Sequence, residues 1–94
     1  MPDLFSVNVI IYGRVQGVFF RNFTLQRANK LGIIGYVRNL HGNRTVEVQA
    51  EGERAKLEEL INDLKTGPPE ASVEKMDVKW SDFTGNYSYF SIRH

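Results

Sequence analysis

The sequence predicts an α+β fold with the element order β-α-β-β-α-β and a short extra strand at the carboxyl end. Alternating apolar residues, which are typical of a strand with one buried face, recur in separate segments. Two other segments carry apolar residues three and four positions apart, as an amphipathic helix does. A chain of 94 residues is long enough for one domain, and we expect residues 1–94 to form it.

The first strand is predicted from Leu4 to Tyr12. Three apolar residues share one face: Val7, Val9 and Ile11. Because Ile10 and Tyr12 lie on the opposite face, we expect that face to be partly covered and the strand to be central.

The first helix is predicted from Asn22 to Leu31. Apolar or small residues recur at helical spacing from just before it: Phe20, Thr24, Ala28 and Leu31. Gly32 is expected to end the helix, because glycine readily adopts a left-handed conformation.

A β-hairpin is predicted next, with strands over Ile33–Leu40 and Thr45–Ala50. Between them lie the turn residues His41, Gly42 and Asn43.

The second helix is expected to open at residues 51–53, Glu-Gly-Glu, which would place carboxylates at its positive end. Its apolar stripe has the clearest helical spacing in the chain: Leu57, Leu60, Ile61 and Leu64. Residues 67–69, Gly-Pro-Pro, are expected to stop it.

Two further strands are predicted, over Val73–Trp80 and Tyr87–Arg93. Val73 is out of phase with the apolar residues that follow it, which indicates a β-bulge. The complete order is that of the ferredoxin-like split β-α-β fold, a mainly antiparallel sheet with both helices on one face. In this topology the first two strands run parallel, so their carboxyl ends lie at the same edge.

The loop from Gly13 to Arg21, GRVQGVFFR, connects the first strand to the first helix. Glycines allow positive φ, so that successive N–H groups can line an anion-binding concavity, and a helix N-terminus adds free donors. Arg21 adds a permanently charged fork that matches phosphate oxygens. Phe19 is bulky, and we expect Gly13 and Gly17 to carry the positive-φ conformations. On composition alone, an ordinary glycine turn before a helix is the better explanation of the loop, and neither common phosphate-loop motif is present.

The motif GRVQGVFFR resembles the signature loop of the acylphosphatase family. A second family signature is similar to residues 35–39, Gly-Tyr-Val-Arg-Asn, followed by Val46 and Gly52. Ala28, Leu31 and Gly32 match the end of the family's first helix. The resemblance covers essentially the whole chain.

This resemblance implies hydrolysis of acyl phosphates to a carboxylate and inorganic phosphate. It implies that Arg21 and loop N–H groups bind phosphate, and that Asn39 holds the attacking water. The positions implied for the phosphate loop are Val15, Gln16, Gly17, Val18, Phe19, Phe20 and Arg21. Taken alone, Asn39 is better explained as a turn residue or strand cap, and only the two motifs together favour the catalytic role. Arg38 is expected to point to the opposite face of its strand.

The sequence contains no recognisable cluster of metal ligands, and we expect neither a metal ion nor a cofactor. There is no cysteine, and His41 and His94 are expected to be surface residues. The carboxylates Glu47, Glu51, Glu53, Glu58 and Glu59 are expected to be solvated. An acyl phosphate suits such a site, because a carboxylate leaving group departs without protonation.

Two other functions are compatible with parts of the sequence. An RNA-binding module shares the element order but needs aromatic residues on the third strand, and residues 44–50 contain none. A non-catalytic anion-binding domain would keep the loop, but the presence of both Arg21 and Asn39 argues against it. The net charge of +1 and the lack of a signal or membrane-length segment predict a cytoplasmic protein without nucleic-acid or membrane partners. We expect it to be a monomer.

Overall fold

A computed structural model describes residues 3–42 and 44–94. The strands are β1 (Leu4–Arg14), β2 (Ile34–Asn39), β3 (Thr45–Glu53), β4 (Ser72–Asp82) and β5 (Phe90–Arg93), and the helices are α1 (Phe20–Leu31) and α2 (Arg54–Thr66). The predicted element order and the extra strand are confirmed. The predicted turn residue Asn43 lies outside the described residues.

The five strands form one mixed sheet in the order β4-β1-β3-β2-β5. β1 is central, as predicted, and pairs antiparallel with β3 and β4. β2 pairs antiparallel with β3 and parallel with β5. Since β1 and β2 both run opposite to β3, they are parallel to each other. The carboxyl ends of β1, β2 and β5 therefore lie at one edge of the sheet.

The core lies between one face of this sheet and the two helices. Alternate strand residues fill it from the sheet side: Val7, Val9, Ile11, Val37, Val46, Val48 and Ala50. The predicted stripe of α2 fills it from the other side, and all four of its residues are buried. Burying each such side chain contributes about 1.5–3 kcal/mol, so this interface supplies most of the stabilisation. No helix in the described part of the chain is long and apolar enough to cross a membrane.

The opposite face of the sheet carries a polar network. Arg38 Nε donates to Glu47 Oε1 at 2.6 Å, and Asn8 Nδ2 donates to Glu47 Oε2 at 2.9 Å. Glu47 is thus paired rather than simply solvated. Arg38 is turned away from the helix side, as the alternation along β2 predicted.

The predicted bulge is present where β1 pairs with β4. The register shifts between Tyr12 and Gly13, which pair with Lys75 and Val73 and leave Glu74 between them. Gly13 has φ 134°, and a Cβ there would lie 2.1 Å from the Ser72 carbonyl oxygen. Only glycine therefore fits where the chain leaves β1 to form the loop.

The predicted start of α2 was wrong. Residues 51–53 extend β3, and the helix begins at Arg54. Glu51 is fully buried rather than solvated or placed at a helix end. Its carboxylate accepts hydrogen bonds from Thr84 Oγ1 at 2.7 Å, the Thr84 N–H at 3.1 Å and the Gly85 N–H at 2.9 Å. The carboxylate thereby fastens the segment that leads into β5.

These contacts predict an acid-sensitive contribution to stability. Burial raises the pKa of Glu51, but the hydrogen bonds from Thr84 and Gly85 outweigh it and leave that pKa below its usual value. The contribution of the ionised group is present above the ordinary carboxyl pKa, near 4.3. It is lost as the pH falls through the lowered folded-state value. Glu51→Gln should lower the free energy of unfolding by about 1–3 kcal/mol at pH 7.

Denaturant titration at several pH values measures this effect. The difference between wild type and Glu51→Gln should shrink in acid, whereas exposed Glu58→Gln should differ little from wild type throughout. If the difference in free energy of unfolding between wild type and Glu51→Gln stays constant as the pH is lowered, the role of the Glu51 charge is contradicted.

Candidate active site

Three apolar side chains anchor the loop between β1 and α1. Val15, Val18 and Phe20 are buried in the core, with 0%, 3% and 1% of their surface exposed. Gly17 and Phe19 alternate with them and face outward. The loop is therefore held to the core by three side chains, and the residues between them are open to solvent.

Positive φ angles occur at three loop residues. Gly13 and Gly17 have φ values of 134° and 73°, as predicted. The expectation that Phe19 would avoid this region was wrong, because it has φ 60° and ψ 25° at the N-cap of α1. A non-glycine residue held in this region costs of order 1–3 kcal/mol, and such strain occurs most often at functional sites.

The loop presents a row of unused backbone donors. Val15 N–H donates to the Gly13 carbonyl at 3.1 Å. From Gln16 to Asn22, however, no backbone N–H donates to a carbonyl or side chain among the described residues. The N–H groups in the first turn of a helix are available in this way, and they lie at the positive end of the helix dipole. The arrangement favours an anion.

Gln16 has a structural role that the sequence did not indicate. Its Nε2 approaches the carbonyl oxygens of Thr45, Gly42 and Leu40 at 2.8, 3.1 and 3.3 Å. The side chain thus ties the loop to the β2–β3 hairpin. Its backbone N–H remains free for a ligand.

A cavity of about 470 Å³ lies at the edge of the sheet where β1, β2 and β5 end. Its lining comes from the loop, α1, β2 and the end of the chain: Val15, Gln16, Gly17, Phe19, Phe20, Arg21, Asn22, Asn39, Ile92 and His94. Of the predicted loop residues, Val18 packs into the core instead. Arg21 and Asn39, which are 18 positions apart in sequence, are brought to the same cavity, as the parallel arrangement of β1 and β2 predicted.

Arg21 brings a positive charge to this cavity. No carboxylate in the described part of the chain forms an ion pair with its guanidinium. Among residues 3–42 and 44–94, its side-chain hydrogen bond is with His94, with 3.3 Å between Nη1 and Nδ1. Most of its five N–H donors are thus available to an anion.

Asn39 brings an unpaired acceptor. Its Oδ1 is buried, and no protein group among residues 3–42 and 44–94 donates to it. A buried acceptor without a donor costs about 1–3 kcal/mol. A donor from a bound molecule would remove that cost.

Three residues in the lining were missed from sequence. Asn22 follows Arg21 in α1, while Ile92 and His94 come from β5 and its end. His94 is exposed, as predicted, and it also lines the cavity. If the pairing of β5 with β2 had been known, His94 could have been assigned to the cavity. The sequence pattern does not give the order of strands in a sheet.

The described residues contain no group of three histidine, aspartate or glutamate side chains that could hold a metal ion. None of the residues that line the cavity is a carboxylate. The chemical groups of the cavity are therefore N–H donors, one arginine, one histidine and side-chain amides.

The fold and the cavity place the chain among small α+β proteins of ferredoxin-like topology with a polar site at the carboxyl edge of the sheet. Comparisons with known proteins define this class more closely. The acylphosphatase family model matches residues 7–92. An acylphosphatase of Dehalococcoides mccartyi strain BAV1 is 46% identical over 88 residues, which cover 94% of this chain and 97% of that protein.

Solved structures agree with this comparison. The crystal structure of acylphosphatase from Bacillus subtilis has a TM-score of 0.91 and 35% identity, covering 98% of this chain and all of that one. A full-length HypF structure in a phosphate- and nucleotide-bound form has a TM-score of 0.85 and 30% identity, and the match covers 12% of HypF. The chain belongs to the acylphosphatase family, whose members are hydrolases of acid anhydrides.

The strained conformation of Phe19 generates a stability prediction. Its side chain is 75% exposed, so removing the ring should cost little packing. Phe19→Gly and Phe19→Ala both remove the ring, but only glycine relieves the left-handed backbone. Phe19→Gly should exceed Phe19→Ala in free energy of unfolding by about 1 kcal/mol.

Denaturant unfolding of the two variants measures this difference, and Phe19→Ala is the matched control. Equal stability of the two variants, or a less stable glycine variant, would show that this backbone is not strained.

Proposed function

We propose that this cavity hydrolyses the carboxyl–phosphate bond of acyl phosphates, with Arg21 and the loop N–H groups binding the phosphoryl group and Asn39 orienting the attacking water. The observation that carries the proposal is the meeting of three features in one cavity. They are a row of N–H donors, an arginine and a buried acceptor, none of which has a partner of the required kind among the described residues.

The phosphoryl group would lie against the loop and Arg21. The proposed phosphate-binding positions are Val15 to Arg21, and the free backbone N–H groups begin at Gln16. Donors that are already in place cost no reorganisation when charge spreads over the equatorial oxygens in the transition state. Arg21 adds a charge and two parallel hydrogen bonds in a planar fork.

The attacking water would donate a hydrogen bond to Asn39 Oδ1. No donor to this oxygen occurs in the described part of the chain, so a water there restores the hydrogen bond that burial would otherwise leave unmade. Holding the water also removes much of its freedom before the reaction, which lowers the entropic part of the barrier.

The leaving group explains why the cavity needs no acid. The water oxygen forms a bond to phosphorus while the bond from phosphorus to the acyl oxygen breaks. The acyl oxygen departs as a carboxylate, whose conjugate acid has a pKa near 4. The proton of the water remains on the inorganic phosphate or passes to solvent. An alcohol leaving group would need protonation or a metal, and no carboxylate lines the cavity to supply the first.

The proposal includes the wider expectations drawn from the sequence. The substrate is a small acyl phosphate, and inorganic phosphate or sulfate should inhibit by occupying the same site. The reaction should proceed without metal or cofactor. We propose a cytoplasmic monomer that does not bind nucleic acid or membranes.

Three substitutions separate binding from chemistry. Arg21→Ala should abolish turnover and weaken phosphate binding. Arg21→Lys should recover little, because an ammonium group cannot reproduce the bidentate fork. Asn39→Ala should lower kcat by about 10²-fold or more while phosphate affinity stays close to wild type. Hydrolysis of benzoyl phosphate in EDTA-containing buffer, beside phosphate binding by calorimetry, measures both quantities.

Arg14→Ala is the matched control, because Arg14 is an exposed arginine of the same chain segment that does not line the cavity. Its turnover should remain near that of wild type. Normal turnover in Asn39→Ala, unchanged phosphate binding in Arg21→Ala, or loss of all wild-type activity in EDTA would each refute part of the mechanism.

A further inference from the structure

Phe19 is an exposed aromatic residue at the edge of the cavity. Its side chain lines the cavity, yet 75% of its surface is open to solvent. The other large apolar residues of the lining, Val15, Phe20 and Ile92, belong to the core or pack against it. Among the described apolar residues of the lining, Phe19 is thus the one whose side chain is open to a ligand.

The ring of Phe19 has no packing role that explains its presence. In the part of the chain that the structure describes, no aromatic ring pairs with it, and no arginine or lysine lies over it. It belongs neither to the hydrophobic core nor to the residues that pack against the core. The fold therefore gains little from this side chain.

The backbone at Phe19 also opposes an aromatic side chain. The residue has φ 60° at the N-cap of α1, a region that glycine adopts without strain. A glycine would relax the backbone, but it would also remove the ring. A strained residue that contributes little to packing points to a role in ligand binding.

The position of the ring suits the acyl end of the proposed substrate. In an in-line displacement, the attacking water and the leaving oxygen lie on opposite sides of phosphorus. Because the water would lie at the buried Asn39 Oδ1, the acyl group extends towards the open side of the cavity. The exposed ring of Phe19 borders that side, and the same residue supplies one of the free loop N–H groups. The ring is therefore next to the acyl group when the phosphoryl group is held by the loop.

We propose that Phe19 is a specificity-determining residue whose ring binds the acyl group and favours aromatic or extended apolar acyl phosphates over short ones. This inference rests on the proposed function, because it takes the position of the phosphoryl group from that function. Two aromatic rings can stack with an offset or meet edge to face, and this attraction adds to the apolar area that they bury. An acetyl group offers only a methyl group to the same ring.

Hydrolysis of benzoyl phosphate and of acetyl phosphate by the same preparation tests the proposal. The ratio of the two kcat/KM values does not depend on the amount of folded enzyme, and the chemical difference between the two leaving groups is the same for every variant. In Phe19→Ala, the ratio of benzoyl to acetyl phosphate should fall by about three- to tenfold. Since the ring contacts a part of the substrate that does not react, the KM for benzoyl phosphate should rise more than the KM for acetyl phosphate.

Three further variants assign the effect to the ring. Phe19→Gly should give the same ratio as Phe19→Ala, because both lack the ring and only glycine relaxes the backbone. Phe19→Trp should keep the preference for benzoyl phosphate, because it restores an aromatic face. Tyr89→Ala is the matched control, since Tyr89 is an aromatic residue with 71% exposure that does not line the cavity. Its ratio should equal that of wild type.

The outcomes separate this inference from the function on which it rests. If wild type hydrolyses both substrates and Phe19→Ala keeps the wild-type ratio, the role of Phe19 alone is overturned. A ratio that falls in Phe19→Gly but not in Phe19→Ala would assign the effect to the loop backbone and would overturn that role as well. If wild type hydrolyses neither substrate, the proposed function and this inference are overturned together.

Discussion

The burial of three loop side chains is the constraint on which the site depends. Val15, Val18 and Phe20 enter the core between β1 and α1. Gly17 and Phe19, which lie between them in the sequence, face outward and have positive φ. In the part of the chain that the structure describes, no carbonyl accepts from the N–H groups of residues 16–22. Core packing thus fixes the loop in a conformation in which these N–H groups are available to a ligand. In an isolated peptide they would be bonded to water.

The sheet supplies the second half of the site through its topology. β1 and β2 are separated by β3 but run in the same direction, and β5 adds a third parallel end. The loop, the Asn39 amide and the His94 imidazole therefore lie at one edge of the sheet, although they come from three distant parts of the sequence. Gln16 and Glu51 fix the connecting segments, the first by binding hairpin carbonyls and the second by holding residues 84–85 before β5. The positions of the cavity residues thus depend on hydrogen bonds that are made outside the cavity.

The sequence predicted the parts of this structure that depend on local pattern. Alternation and helical spacing gave the elements, and the parallel relation of β1 and β2 followed from the crossover rule, which brought Arg21 and Asn39 to one edge. The start of α2 was wrong because Glu51 resembles a residue of a helix N-terminus. Its burial depends on Thr84 and Gly85, which lie more than thirty positions away.

Other features could not be read from local pattern. The left-handed conformation of Phe19 opposes the ordinary preference of a residue with a Cβ, and its neighbours Val18 and Phe20 are buried. The hydrogen bonds of the Gln16 side chain depend on a hairpin that follows α1 and β2. The place of His94 depends on the order of strands, which pairs β5 with β2. In each case a tertiary contact decided between local alternatives that the sequence leaves open.

The central claim is that the backbone of the loop, together with Arg21, is the phosphate site. An NMR titration with inorganic phosphate, following backbone and side-chain N–H signals, tests it most directly. The account predicts that the largest shifts occur at the N–H groups of residues 16–22, the Arg21 guanidinium and the Asn39 amide, and that all saturate at one phosphate concentration. Shifts centred on the exposed arginines Arg14 and Arg44, with the signals of residues 18–22 unchanged, would contradict it.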